Sequence, residues 1–304
     1  MFPCDAVSVV IPHYGDAEPT QALIEQLRAQ SGDVDIQIIV ADDCSPEPFP
    51  QTTGCDVVRR TVNGGFGAAV NTGVNEARHE LTLVLNSDVE IAPTFISELL
   101  AGAAPWLPAV VGTVVYEDGV ERCVGRNWPT TSSNVLETLD PFARLHGVMW
   151  FENRIGNDVA SWHSDEPEIV DWLIGVSMLF PTAEFRAIGG MDERYFMNCE
   201  EIDLQRRLHE QRGLPVVLLP GPRIDHVGGG SSDPARRTGW LMDARFKYHE
   251  KWNGGPGLYV GLLGAAAVNL VWNGARSLTG RDIDAVGKFK TQLAQANHGW
   301  KVRT

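Results

Sequence analysis

Residues 81–90 read LTLVLNSDVE. Five apolar or β-prone residues run straight into Asn86, Ser87 and Asp88. A strand that aims an acid out of its tip marks either a surface turn or a seat for a cation, and the flanking sequence decides between them. Upstream, VSVVIP (7–12) is β-branched and continuous, as in a strand buried on both faces, and Pro12 ends it. TQALIEQLRAQ (20–30) carries a helical apolar period, and IQIIVADD (36–43) is a second strand closing on Asp42 and Asp43. DVVRRTV (56–62) reads as a third strand, and NGGFGAAVNTGVNEA (63–77) as a glycine-rich turn opening a helix. Strand and helix alternate with short links, which predicts an α/β fold around a mostly parallel sheet. Ligands in such sheets bind outside the carboxyl ends of the strands. Tyr14, Asp42 with Asp43, and Asn86-Ser87-Asp88 all arrive there.

Further along, residues 114–168 read as an irregular insertion of the kind that shapes a substrate pocket. WLIGVSMLFP (172–181) is apolar, residues 189–213 form a loop entering an acidic-to-basic helix, and VVLLP (216–220) is a strand. GPRIDHVGGGSS (221–232) reads as a loop and the remainder as helix.

The 304 residues are 43 % apolar, enough for a sizeable core. A net charge of −14 argues against a nucleic-acid binder. The charge is uneven. Residues 236–304 hold 11 Lys/Arg against 4 Asp/Glu, or +7, and the other 235 residues hold 14 against 35, or −21. A basic tail on an acidic body points to an anionic partner such as a lipid surface or a phosphate-bearing substrate. Five cysteines without a CxxC pair suit free thiols in a reducing cytoplasm rather than a zinc cluster. No basic segment precedes an apolar run at the N-terminus, so no signal peptide is expected. GLYVGLLGAAAVNLVW (257–272) is short of a comfortable bilayer span and reads as a buried or interfacial helix.

Four motifs carry chemistry. NGGFGAAVN lets backbone approach a ligand and offers N–H groups at a helix start, although it matches neither a Walker A loop nor a GxGxxG fingerprint. Asp88 offers a hard oxygen ligand to Mg2+ or Mn2+, and His226 offers an imidazole to the same ion or to a phosphate. Glu200, Glu201 and Asp203 open a helix, where either they serve the helix end, with Asn198 as N-cap, Glu201 at N3 and Gly213 closing the far end, or one of them is a general base.

Taken in order, VSVVIPHYG, IIVADDCS, NGGFGAAVNTG, LVLNSD, DWLIGVSMLF, IGGMDERYFMNCEEIDLQRR and HVGGGS resemble the family 2 glycosyltransferases, inverting enzymes of the GT-A fold, and within them the bacterial rhamnosyltransferase branch. The resemblance implies a GT-A domain over residues 1–245, with a nucleotide-binding half (1–113) and an acceptor half (114–245), followed by a helical extension (246–304). Pro12 and Tyr14 would line the nucleotide pocket, and Asp43 would accept the N3–H of a uracil or thymine. Asn63, Gly64 and Gly65 would border the diphosphate. Asn86-Ser87-Asp88 stands in place of the DxD motif, with Asp88 and His226 as ligands of Mg2+ or Mn2+. Trp172 and Gly175 would face donor sugar or acceptor. Glu200-Glu201 stands where the family has Glu-Asp, so the base is Glu201, or Glu200 or Asp203 in its stead. The implied reaction moves a sugar from dTDP-rhamnose or a UDP-hexose to a glycan or lipid-linked acceptor. It would take place in the cytoplasm or at the inner face of the plasma membrane, with the tail touching the membrane and a homodimer admissible. The Glu-for-Asp change also admits a degenerate nucleotide-sugar-binding protein. A nucleotidyltransferase fits less well, because IPHYGDAEP lacks a glycine-rich turn with a basic residue after the first strand.

Overall fold

A computed structural model describes residues 4–226 and 234–303. The chain divides into two units. The first comprises Met1–Arg126, Ala160–Phe196 and Glu200–Ser231, and the second Asn127–Val159, Met197–Cys199 and Ser232–Thr304.

The first unit is built on a mixed sheet. Strands β1 (Ala6–His13), β2 (Asp35–Asp42), β3 (Asp56–Arg59) and β4 (Leu81–Leu85) lie parallel in the order β3-β2-β1-β4. The β-branched run of β1 is buried from Val7 to His13, as expected of a central strand covered on both faces. Helix α1 (Ala17–Arg28) starts where Asp16 accepts the Glu18 N–H at 3.0 Å, and it buries Thr20, Leu23, Ile24 and Leu27, one face of a 3.6-residue period. Helix α2 (Phe66–Asn75) returns the chain from β3 to β4. Because β2 and β4 flank β1 on opposite sides, the strand order reverses at β1, the switch point where open α/β sheets hold ligands.

The sheet continues through β5 (Val89–Ile91), β6 (Val110–Glu117), β7 (Val120–Arg122), β9 (Glu168–Val170), β11 (Ser177–Pro181) and β12 (Val216–His226). Beyond β4 the order is β11-β6-β12-β5, with β7 on β6 and β9 on β12. Strand β11 is antiparallel to β4 and β6, whereas β12 runs parallel to β6 and antiparallel to β5. A separate two-stranded ladder joins β8 (Gly125–Arg126) to β10 (Trp172–Leu173). Helices α3 (Phe95–Ala103), α6 (Thr182–Ala187) and α7 (Glu200–Arg212) complete the unit.

Two sequence expectations are corrected here. Residues 221–226 are not a loop: β12 carries on to His226, past an irregularity between Leu219 and Ile224 where the chain re-enters register with β6. Helix α7 starts at Glu200, so Cys199 and not Asn198 occupies the N-cap place, and N3 is Ile202 rather than Glu201. Asn198 and Cys199 both have left-handed backbone, φ 73° and 65°, which turns the chain into the helix. Gly213 closes the far end as anticipated, with φ 70° and its N–H on the His209 carbonyl at 3.0 Å. The glycine run after His226 lies outside the described residues.

The second unit is helical: α4 (Thr131–Glu137), a short 3-10 turn (Asp140–Leu145), α5 (Met149–Arg154), α8 (Pro234–Trp252), α9 (Gly255–Leu278) and α10 (Ala285–Val302). The middle segment expected to be irregular therefore contains short helices. Phe246, Leu258, Leu262 and Ala296 form an apolar core of α8, α9 and α10. One face of α9 is bound by polar contacts. Buried Asn269 accepts the Asp140 N–H at 2.8 Å and donates to the Thr138 carbonyl at 2.8 Å, and buried Asn273 donates to the Asp140 carboxylate. No disulfide joins any of the five cysteines among the described residues. An Asn269→Leu variant leaves a buried N–H and C=O without partners and should lose about 1–3 kcal/mol in urea denaturation. An unchanged midpoint would show that the Asn269 bonds do not hold α9.

Candidate functional site

Three groups of residues lie at the carboxyl ends of the strands. The first begins where β2 ends. Asp42 is fully buried and anchors the following loop, accepting from Ser45 N at 2.8 Å, Phe49 N at 3.1 Å and the Arg59 guanidinium. Burial alone would raise its carboxyl pKa, but the hydrogen bonds outweigh burial and hold it below the ordinary range. Asp43, 3 % exposed, points the other way. It accepts from Gly64 N at 3.0 Å and Gly65 N at 2.7 Å, and pairs with Arg60 Nε at 2.8 Å. The N–H groups expected to be open at the start of α2 are thus turned onto Asp43. Two backbone N–H donors and the Arg60 ion pair leave acceptor capacity on the carboxylate for an incoming group.

Gly65 explains why this loop is glycine-rich. Its φ is +87°, and a Cβ there would overlap the Phe196 carbonyl oxygen, which also accepts the Phe66 N–H at 3.2 Å. Asn71 adds a second latch on α2, accepting from Met191 N at 2.8 Å and donating to Met191 O at 2.9 Å. The glycine-rich loop and α2 are therefore fastened to the segment that leads into α7. Asn63 accepts weakly from Gly65 N at 3.2 Å, Pro12 is buried opposite Ala41, and Tyr14 stands 48 % exposed at the end of β1.

The second group is a histidine between two carboxylates. His226 is the last residue of β12, opposite Val89 of β5, and the neighbouring pair Asp225–Tyr116 aligns it with the end of β6. Asp88 immediately precedes β5 and Glu117 ends β6, so the imidazole is flanked on both sides. Its Nε2 lies 3.2 Å from Asp88 Oδ1 and its Nδ1 2.9 Å from Glu117 Oε1. Hydrogen bonding to Asp88 first, opposed by burial and reinforced by Glu117, raises its pKa to about 9. Burial raises the Asp88 pKa, but the His226 bond outweighs it and the net shift is downward. Glu117 is lowered chiefly by the same histidine. Arg122 also pairs with Glu117 at 2.6 Å.

The third group is at the start of α7. Three acids at i, i+1 and i+3 point in three directions. Glu200, 2 % exposed, packs against Gly67 of α2. Asp203, fully buried, pairs with Arg207 Nε at 2.7 Å, and Arg207 also binds the Ile188 and Gly190 carbonyls. Glu201 packs against Gly175: a Cβ there would stand 3.4 Å from Glu201 Cβ and Cγ, an ordinary van der Waals contact. Its Oε2 is buried with no hydrogen-bond partner among the described residues, and desolvation pushes its pKa up to about 7. Gln205 fixes the turn that carries it. Its side chain accepts from Leu173 N at 2.8 Å and donates to Leu173 O at 2.8 Å and Glu201 O at 3.1 Å. Trp172, next to Leu173, is 9 % exposed within the β8–β10 ladder.

The second and third groups meet through the sheet. Asn86 N donates to Val176 O at 3.0 Å, directly beyond the Leu85–Ser177 pair. The Asn86-Ser87-Asp88 turn thus lies beside the Gly175–Val176 backbone on which Glu201 rests. Arg60, Glu117 and Gln205 were not anticipated. Arg60 was hidden inside a strand-like run and Gln205 in a helix. Glu117, ending the apolar run VVGTVVYE, is a strand-end acid like Asp43 and carried the same signal.

Comparison with known proteins now bears on this arrangement. Residues 8–151 match the model of glycosyl transferase family 2. Over 220 residues, 66 % of this chain and 70 % of the relative, the chain is 26 % identical to N-acetylglucosaminyl-diphospho-decaprenol L-rhamnosyltransferase of Mycobacterium tuberculosis. The fold is similar to GalNAc-T7 solved with UDP, GalNAc and Mn2+ (TM-score 0.61, 14 % identity), covering 95 % of this chain and 54 % of that one. It is also similar to residues 1–349 of S. aureus TarS in complex with UDP (TM-score 0.51, 12 % identity), covering 97 % and 91 %. The fold is GT-A. In sequence the chain is similar to family 2 glycosyltransferases over residues 8–151.

Among the described residues no three of His, Cys, Asp and Glu cluster as a self-sufficient metal site. The pair Asp88 and His226 nonetheless suits a cation that draws its other ligands from a diphosphate. The Glu117 bond to His226 Nδ1 supports that fit, because a ligating imidazole is commonly oriented by a carboxylate on its other nitrogen.

Gly65→Ala should destabilise the chain by about 2–3 kcal/mol, from strained backbone and the displaced Phe196 carbonyl. Urea denaturation that finds no loss would show that the α2 loop is not latched to the approach to α7.

Proposed function

We propose that this chain is an inverting glycosyltransferase. It moves a sugar from a nucleotide-diphosphate donor, dTDP-rhamnose or a UDP-hexose, to a hydroxyl of a glycan or lipid-linked acceptor at the cytoplasmic face of the membrane. The observation that carries this reading is Glu201, a carboxylate lodged over Gly175 with one buried oxygen unpaired, beside the turn that presents Asp88. The relative named as a rhamnosyltransferase and the UDP in two structures of this fold favour a nucleotide sugar as donor.

In this reaction the acceptor hydroxyl lies against Glu201, which takes its proton as the oxygen attacks the anomeric carbon. The bond from that carbon to the diphosphate breaks on the opposite face, its electrons leave with the nucleoside diphosphate, and configuration inverts. Asp88 and His226 would hold a divalent cation, Mg2+ or Mn2+, whose charge offsets that building on the departing diphosphate. Asn63, Gly64 and Gly65 border the diphosphate, and Pro12, Tyr14 and Asp43 the nucleoside, with Asp43 offering its remaining acceptor position to a base N–H. Trp172 and Gly175 border the sugars. Glu200 and Asp203, engaged with α2 and Arg207, support the helix on which Glu201 acts.

Single-turnover assays with a panel of UDP- and dTDP-sugars test this directly. Glu201→Gln should slow transfer by about 10²–10⁴-fold, and Asp88→Ala by about 10²–10³-fold. A general base must be ionised, and a carboxyl with a pKa near 7 is protonated below that pH. With the cation saturating, so that the proton on His226 does not compete with it, the rate should therefore fall about tenfold per pH unit below pH 7 and level off above it. Near-wild-type transfer by both variants would refute the assignment. Nucleotide-sugar binding without transfer across a broad acceptor panel would make the chain a binding protein instead.

A further inference from the structure

The helical unit carries an exposed surface of unusual composition. Ten of the fourteen large apolar side chains exposed among the described residues belong to it, although it is the smaller of the two units. Helix α9 contributes most. From Pro256 to Ala275 every exposed residue is apolar or glycine, including Val260, Val268, Val271 and Trp272. At 3.6 residues per turn these positions fill an arc of about 160°, and Leu278, 89 % exposed, falls within it one turn further on. The stripe is roughly 33 Å long at 1.5 Å per residue. In the same unit Phe142, Met149 and Trp150 are also exposed, Trp150 at 62 %. Their segment is tied to α9 through the Asn269 and Asn273 bonds to Asp140. Soluble helices put charge on the face that meets water, so an uncharged face of this length marks an interaction surface.

Charge selects the occupant. The stretch from residue 236 to 304 has 11 basic residues against 4 acidic, in a chain otherwise strongly acidic. Arg281, Lys288 and Lys290 follow α9 closely and are exposed. An apolar stripe with tryptophan and neighbouring cations matches the boundary of an anionic bilayer, where apolar side chains enter the acyl edge and Lys and Arg meet headgroups. By length and composition α9 could also cross a membrane. Its opposite face, however, is held by buried Asn269 and Asn273 to other parts of the unit, and a spanning helix would have to abandon those bonds.

We propose that the exposed face of α9, with the Phe142–Trp150 segment, docks the helical unit in the plane of an anionic lipid surface. This docking does not depend on which sugar is transferred, or on whether one is. The test is flotation of the purified full-length chain with vesicles of phosphatidylglycerol or of phosphatidylcholine. The wild type should float with phosphatidylglycerol vesicles and at least fivefold less with phosphatidylcholine. Val268→Glu with Val271→Glu should cut flotation at least tenfold, and Lys288→Glu with Lys290→Glu severalfold, each with an unchanged melting temperature and nucleotide affinity. Alkaline carbonate should release the wild type. Absence of flotation, flotation indifferent to both variant pairs, or resistance to carbonate would overturn the proposal. So would a concentration-dependent dimer in sedimentation that Val271→Glu dissolves, which would assign the face to a second copy of the chain.

Discussion

A histidine is held between two carboxylates here because one strand runs between two others. β12 lies between β5 and β6, and its last residue comes level with the acid that precedes one neighbour and the acid that ends the other. A slip of one residue in β12 would turn His226 to the other face of the sheet and leave Asp88 and Glu117 without their shared partner. The irregularity between Leu219 and Ile224 sets that phase, since it fixes which residues of the strand's end face which neighbours. Asp88 alone is a turn residue. With His226 at 3.2 Å and Glu117 behind the ring it would become half of the proposed cation seat.

The other half of the chemistry depends on helical angle and packing. Three acids open α7, and the folded chain separates them by surroundings. One is pressed on α2, one is neutralised by Arg207, and one stands over a glycine with an oxygen unpaired. The last, whose carboxyl pKa burial pushes up to about 7, is the one proposed to move a proton. Its place is fixed from both sides: Gln205 clamps the first turns of α7 to β10, while Asn71 and the Phe196 carbonyl fasten the approach to the helix onto α2. Such fastening matters, because a base misplaced by an ångström can lose orders of magnitude in rate.

The parallel half of the sheet could be read from the sequence because its strands are buried on both faces. VSVVIP, IQIIVAD and LTLVL are continuous apolar runs, and each delivers its polar residues at the end where ligands bind. VVGTVVYE obeys the same logic, an apolar run that ends in an acid, and Glu117 closes β6 in the same way. The extension of β12 to His226 could not be seen locally, since Gly221 and Pro222 read as turn residues and only pairing with β5 and β6 keeps the strand going. Asn198 is a good N-cap on propensity, yet α7 starts one residue later than that cap would set it. The fold instead puts Asn198 and Cys199 in left-handed backbone. Asp43 illustrates the limit of motif reading: its position was recognisable, but its bonds to Gly64, Gly65 and Arg60 are a tertiary fact.

The seat formed by Asp88 and His226 is the centre of this account, and a spectroscopic measurement reaches it without relying on turnover. Electron spin echo modulation of Mn2+ bound to the chain with UDP reports nitrogen in the first coordination sphere. The account predicts a nitrogen modulation in the wild type that disappears in His226→Gln while UDP still binds. A Mn2+–UDP complex with no nitrogen coupling, or a coupling that survives His226→Gln, would contradict it.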